Sequence, residues 1–303
     1  MCRFTLYLGP AIRLSSLLIK PAHSLIHQST HAAERSEPLN GDGFGIGWYA
    51  PRLSKEPAVF HSVTPAWNNR NLHSISNVLA SPCVFAHVRA ATEGSDVHMA
   101  NCHPFKYGRY LLMHNGSIGA FARVRRQLTA SLSDQAYGVI RGSTDTELLF
   151  AVFIDELLKH GEPDSMEFSE EDGAGRLAGH LSATLARVLA AVGELGDAAP
   201  SFLNVAVSNG DCAAVSRFSS ASTAPADSLY ILHGELYPTT AEEFSGRAVE
   251  DAGAAVIVSS ERLTQHTEWR AVPAAHIVAF SHDQVPQLFA LDKDGRIVAA
   301  SVE

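Results

Sequence analysis

Two long amphipathic stretches sit in the middle of this chain, and short strands fill both flanks. From Ser143 to His160, Leu148 with Val152 and Leu149 with Phe153 repeat at helical spacing, and Thr144 with Glu147 makes a capping-box pattern at the start. From 176 to 195, Leu177, Leu181, Leu185, Val188, Val192 and Leu195 stay in phase. Strands are predicted before this block at 2–8, 44–50, 59–63, 83–90 and 109–113. After it they are predicted at 202–208, 212–218, 229–233, 254–260, 275–280 and 288–291. No βαβ alternation occurs. Helices grouped between blocks of strands predict an α+β chain in which helix layers cover antiparallel sheets.

The finer punctuation fits that frame. The first strand is expected to end at Gly9-Pro10, with a short helix over 11–20. Asn209-Gly210 between two apolar runs is a hairpin signal, and Asp292 to Gly295 reads as a terminal hairpin turn. The alternate glycines of FGIGWYA (44–50) leave room for close backbone approach. His114-Asn115-Gly116 reads as a turn leading to a helix through Phe121, Val124 and Leu128. The acidic segment 162–173 reads as a solvated loop. No internal repeat or clear linker divides the 303 residues, so one domain over 1–303 is expected.

Charge and cysteine usage remove several classes of function. The net charge of −9 argues against sequence-blind nucleic-acid binding. No apolar run approaches the ~18 residues of a membrane span, and the Gly-Pro-broken start is a poor signal peptide. Cys2, Cys83, Cys102 and Cys212 are scattered without CxxC spacing, which points to a reducing, cytoplasmic setting.

Four features carry chemistry. Cys2 directly follows the initiator Met1. Once Met1 is trimmed, one residue holds both a thiol and an α-amine, which titrates near ~8, so nucleophile and base arrive together. Taken alone, Cys2 is equally a small apolar residue starting a strand. Arg89, at the end of an apolar strand, is shaped to grip a carboxylate through two parallel hydrogen bonds, or to make a structural ion pair. Asn115 beside Gly116 offers a side-chain amide and a backbone N–H to one point, the recipe of an oxyanion hole, or else an ordinary Asn-Gly turn. Asp145 in the first turn of a helix either caps that turn or anchors an ammonium group.

Six segments occur together and in order: Met1-Cys2-Arg3, NGDGFGIGWY (40–49), HVRAAT (87–92), NCHPF (101–105), HNGSI (114–118) and STDTE (143–147). With them the chain resembles the class II glutamine amidotransferases, which are N-terminal nucleophile hydrolases; VIVSSERLT (256–264) fits more loosely. The resemblance implies a four-layer αββα sandwich. It implies that Cys2 attacks the γ-carboxamide carbon of glutamine or of a γ-glutamyl amide, with its α-amine relaying the proton. Asn115 and Gly116 would hold the oxyanion, Arg89 the α-carboxylate and Asp145 the α-ammonium. Thr92 would lie on the substrate-facing loop, and Asp42 with Gly43 would shape the pocket wall. Ala90 and Glu93 stand where large members of the family carry Trp and His, leaving room beyond the scissile amide. MCRF and NGDGFGIGWY look most similar to a stand-alone branch. It includes the γ-glutamyl hydrolase of ergothioneine biosynthesis and the amidotransferase-like subunit of fungal glutathione degradation.

Other classes fit less well. His98, Cys102 and His103 cluster without a recognised zinc spacing, so no metal is expected; His87 and His114 read as hydrogen-bonded residues on strands beside the pocket, and His103-Pro104 reads as shaping a turn. Glycines 41, 43, 45 and 47 alternate strictly, which gives no GxGxxG register and no cofactor. Two alternatives within the same fold stay open. One is a glutaminase subunit delivering ammonia to a separate synthase or working with a peptidase partner; the other is a catalytically silent γ-glutamyl-binding protein. The expected substrate is a small molecule. The sequence sets no oligomeric state.

Overall fold

The computed structural model describes residues 2–34, 39–91, 96–161, 173–221, 224–238, 244–247, 255–265, 267–282 and 285–298. The first sheet contains β1 (Arg3–Arg13), β2 (Phe44–Trp48), β3 (Ala58–Ser62), β4 (Ala80–Val88), β9 (Tyr230–Pro238), β10 (Phe244–Arg247) and β11 (Ala255–Ser259), in the order β10-β9-β11-β1-β4-β2-β3. β12 (Arg270–Ala271) is paired to β9. The second contains β5 (Phe105–Tyr107), β6 (Tyr110–Ser117), β7 (Phe202–Ser208), β8 (Cys212–Arg217), β13 (His276–Ser281) and β14 (Gln287–Ala290), in the order β14-β13-β8-β7-β6-β5. Every assigned pairing is antiparallel.

Side-chain alternation stacks the layers. In β1, Phe4, Leu6 and Leu8 point into the seam between the sheets, where they meet Leu111, Met113, Ala206 and Val215 of the second sheet. Tyr7, one residue out of phase, faces the other way and packs under α1 (Ser15–Leu18), α2 (Leu25–Gln28) and α3 (Arg70–Ser76). The opposite face of the second sheet, with Leu112, Leu203, Val205 and Val207, is covered by α4 (Phe121–Ala130), α5 (Asp134–Tyr137), α6 (Asp145–Lys159) and α7 (Gly173–Gly193). Three apolar layers therefore separate four structural ones, the αββα sandwich that the resemblance implied. Each fully buried Leu in these layers contributes about 1.5–3 kcal/mol relative to exposure.

The glycines of β2 serve the seam. Phe44 and Ile46 pack outward under the helices, and Gly45 and Gly47 face the second sheet. A Cβ at Gly45 would lie 2.0 Å from the carbonyl oxygen of His103, and one at Gly47 would lie 2.6 Å from Leu111. Close approach is thus a requirement here, as the alternation suggested.

Three expectations are corrected. β1 does not stop at Gly9-Pro10; it runs to Arg13, with a register shift between Leu8 and Ile12 that absorbs the proline, so only Ser15–Leu18 of the expected helix forms. His114-Asn115-Gly116 is not a turn: β6 continues to Ser117 because β7 pairs with it as far as Ser117↔Phe202. The capping box is half formed. Thr144 Oγ1 accepts from Glu147 N–H (3.2 Å), but the Glu147 carboxylate takes the N–H groups of Arg141 and Gly142, each at 2.6 Å. Of the acidic loop expected at 162–173, residues 162–172 lie outside the described residues.

No helix among the described residues is long and apolar enough to cross a membrane.

Candidate active site

The seam carries its polar residues at one end. Leu8, Leu6 and Phe4 lead along β1 to Cys2 in the same phase; Cys83 and Phe85 lead along β4 to His87 and Arg89; Leu111 and Met113 lead along β6 to Asn115. Alternation alone therefore brings Cys2, Arg89 and Asn115 to one mouth.

Cys2 is half-buried at the head of β1, and its Sγ donates to Ala90 O (3.5 Å). Burial pushes the thiol pKa up; the contact with Ala90 and the Arg89 guanidinium pull it part of the way back, and Asp145 adds to the rise. Arg89 and Asp145 thus both act electrostatically on the sulfur. A thiol held in its protonated form needs a base before it can attack.

The backbone at Cys2 is clamped from the outer side. Arg3 points away from the seam, and its Nη1 donates to Cys2 O (2.9 Å) and its Nε to Glu261 Oε1 (2.7 Å). Glu261 also meets His23 Nε2 (2.6 Å) and accepts from the N–H groups of Ala33 and Glu34. Burial alone would raise the Glu261 pKa, but His23, the Ala33 N–H and Arg3 bring it down to about 2.

Asp42 and Gly43 grip the Arg89 segment by its backbone. Arg89 N–H donates to Gly43 O (2.8 Å), Asp42 N–H to Arg89 O (3.0 Å), and Ala91 N–H to Asp42 Oδ2 (2.8 Å). The Arg89 side chain is 4% exposed, and its Nη1 donates to Asp96 O (3.1 Å). Thr92 lies outside the described residues.

Asn101, which the sequence reading passed over, ties this segment to α6. Its Nδ2 donates to Asp96 O (3.0 Å), and its Oδ1 accepts from Ser143 N–H (3.0 Å). A cavity of about 510 Å³ lies here, lined by Asp96, Val97, His98, Asn101, Gly142 and Ser143. It is bordered by the Arg89-bound loop on one side and by the lead into Asp145 on the other.

Asp145 is a cross-link as well as a charge. Oδ2 accepts from Ile118 N–H (2.9 Å) and Oδ1 from Thr146 N–H (2.8 Å), so the chain just beyond Gly116 is pinned to the start of α6. The acid-at-a-helix-start pattern was legible; its use to hold the Asn115-Gly116 strand was not.

Strand geometry orients the Gly116 N–H. His114 N–H and C=O bond side chains on the edge away from β7, so Gly116, two residues on, has its N–H on that same open edge. Gly116 has φ +149°, and a Cβ there would lie 1.9 Å from Phe202 O and 2.7 Å from His114 Nε2; only glycine fits. Asn115 is 1% exposed, and its Oδ1 has no hydrogen-bond partner among the described residues. Beside it on β7 is Asn204, whose Oδ1 is likewise buried and without a partner.

Known proteins resemble this chain in sequence and fold. A family model described as glutamine amidotransferases class-II matches residues 21–301. The probable glutamine amidotransferase DUG3 of Saccharomyces cerevisiae is 37% identical over 303 residues, covering 94% of this chain and 83% of that protein. A gamma-glutamyl-hercynylcysteine sulfoxide hydrolase of Mycobacterium tuberculosis is 35% identical over 120 residues, 39% of this chain and 50% of that protein. Among solved structures, a glutamine aminotransferase class-II domain protein from Silicibacter pomeroyi shares the fold with a TM-score of 0.63 and 24% identity, covering 96% of this chain and 100% of that one. By its family match and by its likeness to DUG3 along nearly its whole length, the chain belongs to the class II glutamine amidotransferases.

Proposed function

We propose that this enzyme hydrolyses the γ-amide of glutamine or of a γ-glutamyl compound through a γ-glutamyl thioester on Cys2, within one domain spanning 1–303. The observation that carries the reading is the convergence of Cys2, Arg89 and Asn115 at the polar end of an otherwise apolar seam, with Asp145 acting on the sulfur.

The chemistry follows from the groups present. Removal of Met1 turns the Cys2 amide nitrogen into an α-amine, which accepts the thiol proton, directly or through water. The thiolate attacks the γ-carbonyl carbon. The oxyanion takes hydrogen bonds from Asn115 Nδ2 and Gly116 N–H. The ammonium then protonates the departing nitrogen as the C–N bond breaks, and ammonia or an amine leaves. Water, deprotonated by the same amine, attacks the thioester and releases glutamate and the thiol. Arg89 holds the substrate's α-carboxylate, Asp145 its α-ammonium, and Thr92 adds a further contact to the substrate. Asp42 and Gly43 hold Arg89 in place. No cofactor takes part.

Ala90, whose carbonyl touches the nucleophile, presents only a methyl group, which suits a leaving group larger than ammonia. A second reading, in which a synthase or peptidase subunit completes the system, is favoured by exposed apolar residues beside the mouth. Leu39 and Trp67 flank Gly41-Asp42, and Val97 and Met99 follow Asp96. The four free cysteines, three of them buried, suit a reducing cytoplasmic compartment.

The test uses protein whose loss of Met1 has been verified by intact mass. Glutamine, glutathione and bulkier γ-glutamyl amides are compared as substrates, with acid quenching to trap the acyl-enzyme. A mass increase of one γ-glutamyl group on Cys2 and release of glutamate are expected. Turnover without any Cys2 adduct, or no turnover of any γ-glutamyl amide, overturns the reading.

A further inference from the structure

β6 is covered by β5 only as far as Leu112, yet its open edge continues past the two residues that offer the oxyanion donors. At His114, where a neighbouring strand would supply the next hydrogen bonds, two imidazoles supply them. His114 N–H donates to His103 Nδ1 (3.5 Å), and His114 O accepts from His87 Nε2 (3.2 Å). His87 lies in β4 of the facing sheet and His103 in the turn that precedes β5, so neither belongs to a strand paired with β6.

The network dictates the tautomers. His103 Nδ1 accepts a backbone N–H and is therefore unprotonated. His87 Nε2 lies 3.0 Å from that nitrogen and 3.2 Å from a carbonyl oxygen, two acceptors, so it carries the proton. His114 Nε2 donates to Phe202 O (2.9 Å), and its Nδ1 lies 3.0 Å from Thr146 Oγ1. His87 Nδ1 is buried without a partner among the described residues, so the ring works through one nitrogen only. Burial lowers the pKa of His87 to about 3 and that of His103 well below the usual histidine range, helped by the neighbouring His114, Arg89 and His61, so both rings stay neutral at physiological pH.

We propose that His87 and His103 are positioning residues for the oxyanion hole: by replacing the missing strand at His114 they fix the backbone that aims Asn115 and Gly116. The proposal rests on the reading of Asn115 and Gly116 given above. Neither imidazole touches substrate. A small rotation of the His114 peptides would swing the next two residues, and a misplacement of about 1 Å at a reacting centre can cost about 10²-fold in rate.

The test exploits the nitrogen each ring uses. A glutamine amide nitrogen overlays His Nε2, and an asparagine amide oxygen overlays His Nδ1. His87→Gln therefore keeps the donor to His114 O, while His87→Asn cannot reach it. At position 103 the order reverses: His103→Asn keeps the acceptor and His103→Gln misplaces it. We expect kcat and the single-turnover rate of Cys2 acylation to fall about 10- to 100-fold in His87→Asn and His103→Gln. Within each pair the other variant should recover to within about threefold of the native rate. KM, inhibition by glutamate and the rate of Cys2 alkylation by iodoacetamide should stay level. The same ranking of Gln and Asn at both positions, or parallel loss of kcat, melting temperature and glutamate affinity, overturns the proposal and leaves the histidines as packing. If a variant fails to fold, the remaining pair still decides through its Gln-to-Asn order. Failure of the function itself is distinguishable: iodoacetamide modification of Cys2 would then leave turnover intact in the native protein.

Discussion

The two ends of the inter-sheet seam are built by the same three strands with opposite results. At one end Leu6 and Leu8 of β1, Cys83 and Phe85 of β4, and Leu111 and Met113 of β6 close a dry layer. At the other, the same inward phase carries Cys2, His87 with Arg89, and Asn115. At the dry end burial is its own reason. At the polar end each buried group needs a partner, and side chains and loops supply what strand pairing does not: Gly43 and Asp42 for the Arg89 segment, and the His87 and His103 rings for His114. Polar residues that keep the apolar phase at the ends of core strands therefore mark a site.

The largest effect that would break this contrast is at Cys2. Cys2→Ala is expected to lower turnover by more than about 10³-fold with little change in melting temperature, since the side chain is only half-buried. Residual activity near the native level would mean that the polar end does not do the chemistry. Asn115→Ala comes next: the oxyanion role proposed for its amide predicts a loss of about 10²–10³-fold in kcat with KM nearly unchanged, because such a group acts on charge that develops only in the transition state. A rise in KM at constant kcat would move Asn115 from the oxyanion to the substrate's head group. The dry end should give the reverse pattern. Leu6→Ala opens a cavity among apolar side chains and should cost about 3 kcal/mol of stability, read by urea unfolding, while kcat per folded molecule holds. A matching fall in kcat would show that the two ends are mechanically one.

Much of this was legible in the sequence because the seam obeys a period of two. The strands and the middle helices follow from periodicity, the αββα stacking is what the ordered motifs imply by resemblance, and Cys2, Arg89, Asn115, Gly116 and Asp145 could be put forward as candidates from their types and places. What could not be read was pairing at long range. Nothing local to Asn115-Gly116 says that β7 extends the strand through it, so the dipeptide looked like a turn. Nothing local to Glu261 says that it meets Arg3, 258 residues away. Asn101 and His103 sat inside a quoted motif, yet their roles depend on Ser143 and His114, which only the fold brings near. The signal available for such residues was weak: polar side chains clustered at the ends of predicted core strands.

The smallest expected effect tests whether the outer clamp belongs to the polar end or merely borders it. Glu261 is nearly fully buried against Arg3, itself 1% exposed. Its folded pKa is about 2 against an ordinary 4.5, a depression. The stability it contributes is therefore fully present above about pH 4.5 and is lost as pH falls towards about 2. The shift corresponds to about 3 kcal/mol as an order of magnitude. Glu261→Gln keeps the shape but leaves the buried Arg3 guanidinium without its counter-charge, so its melting temperature at pH 7 should start below the native value. Between pH 5 and about 2.5 the native protein should lose more stability than the variant, so that the two curves converge. Asp155, whose pKa is also depressed once Ser133 N–H and Arg187 outweigh its burial, titrates in both proteins and cancels in the difference. Because Arg3 Nη1 holds Cys2 O, kcat in the variant should fall by a few-fold, about tenfold at most. Parallel melting curves would assign the low pKa to some other group, and an unchanged kcat would confine Glu261 to stability alone.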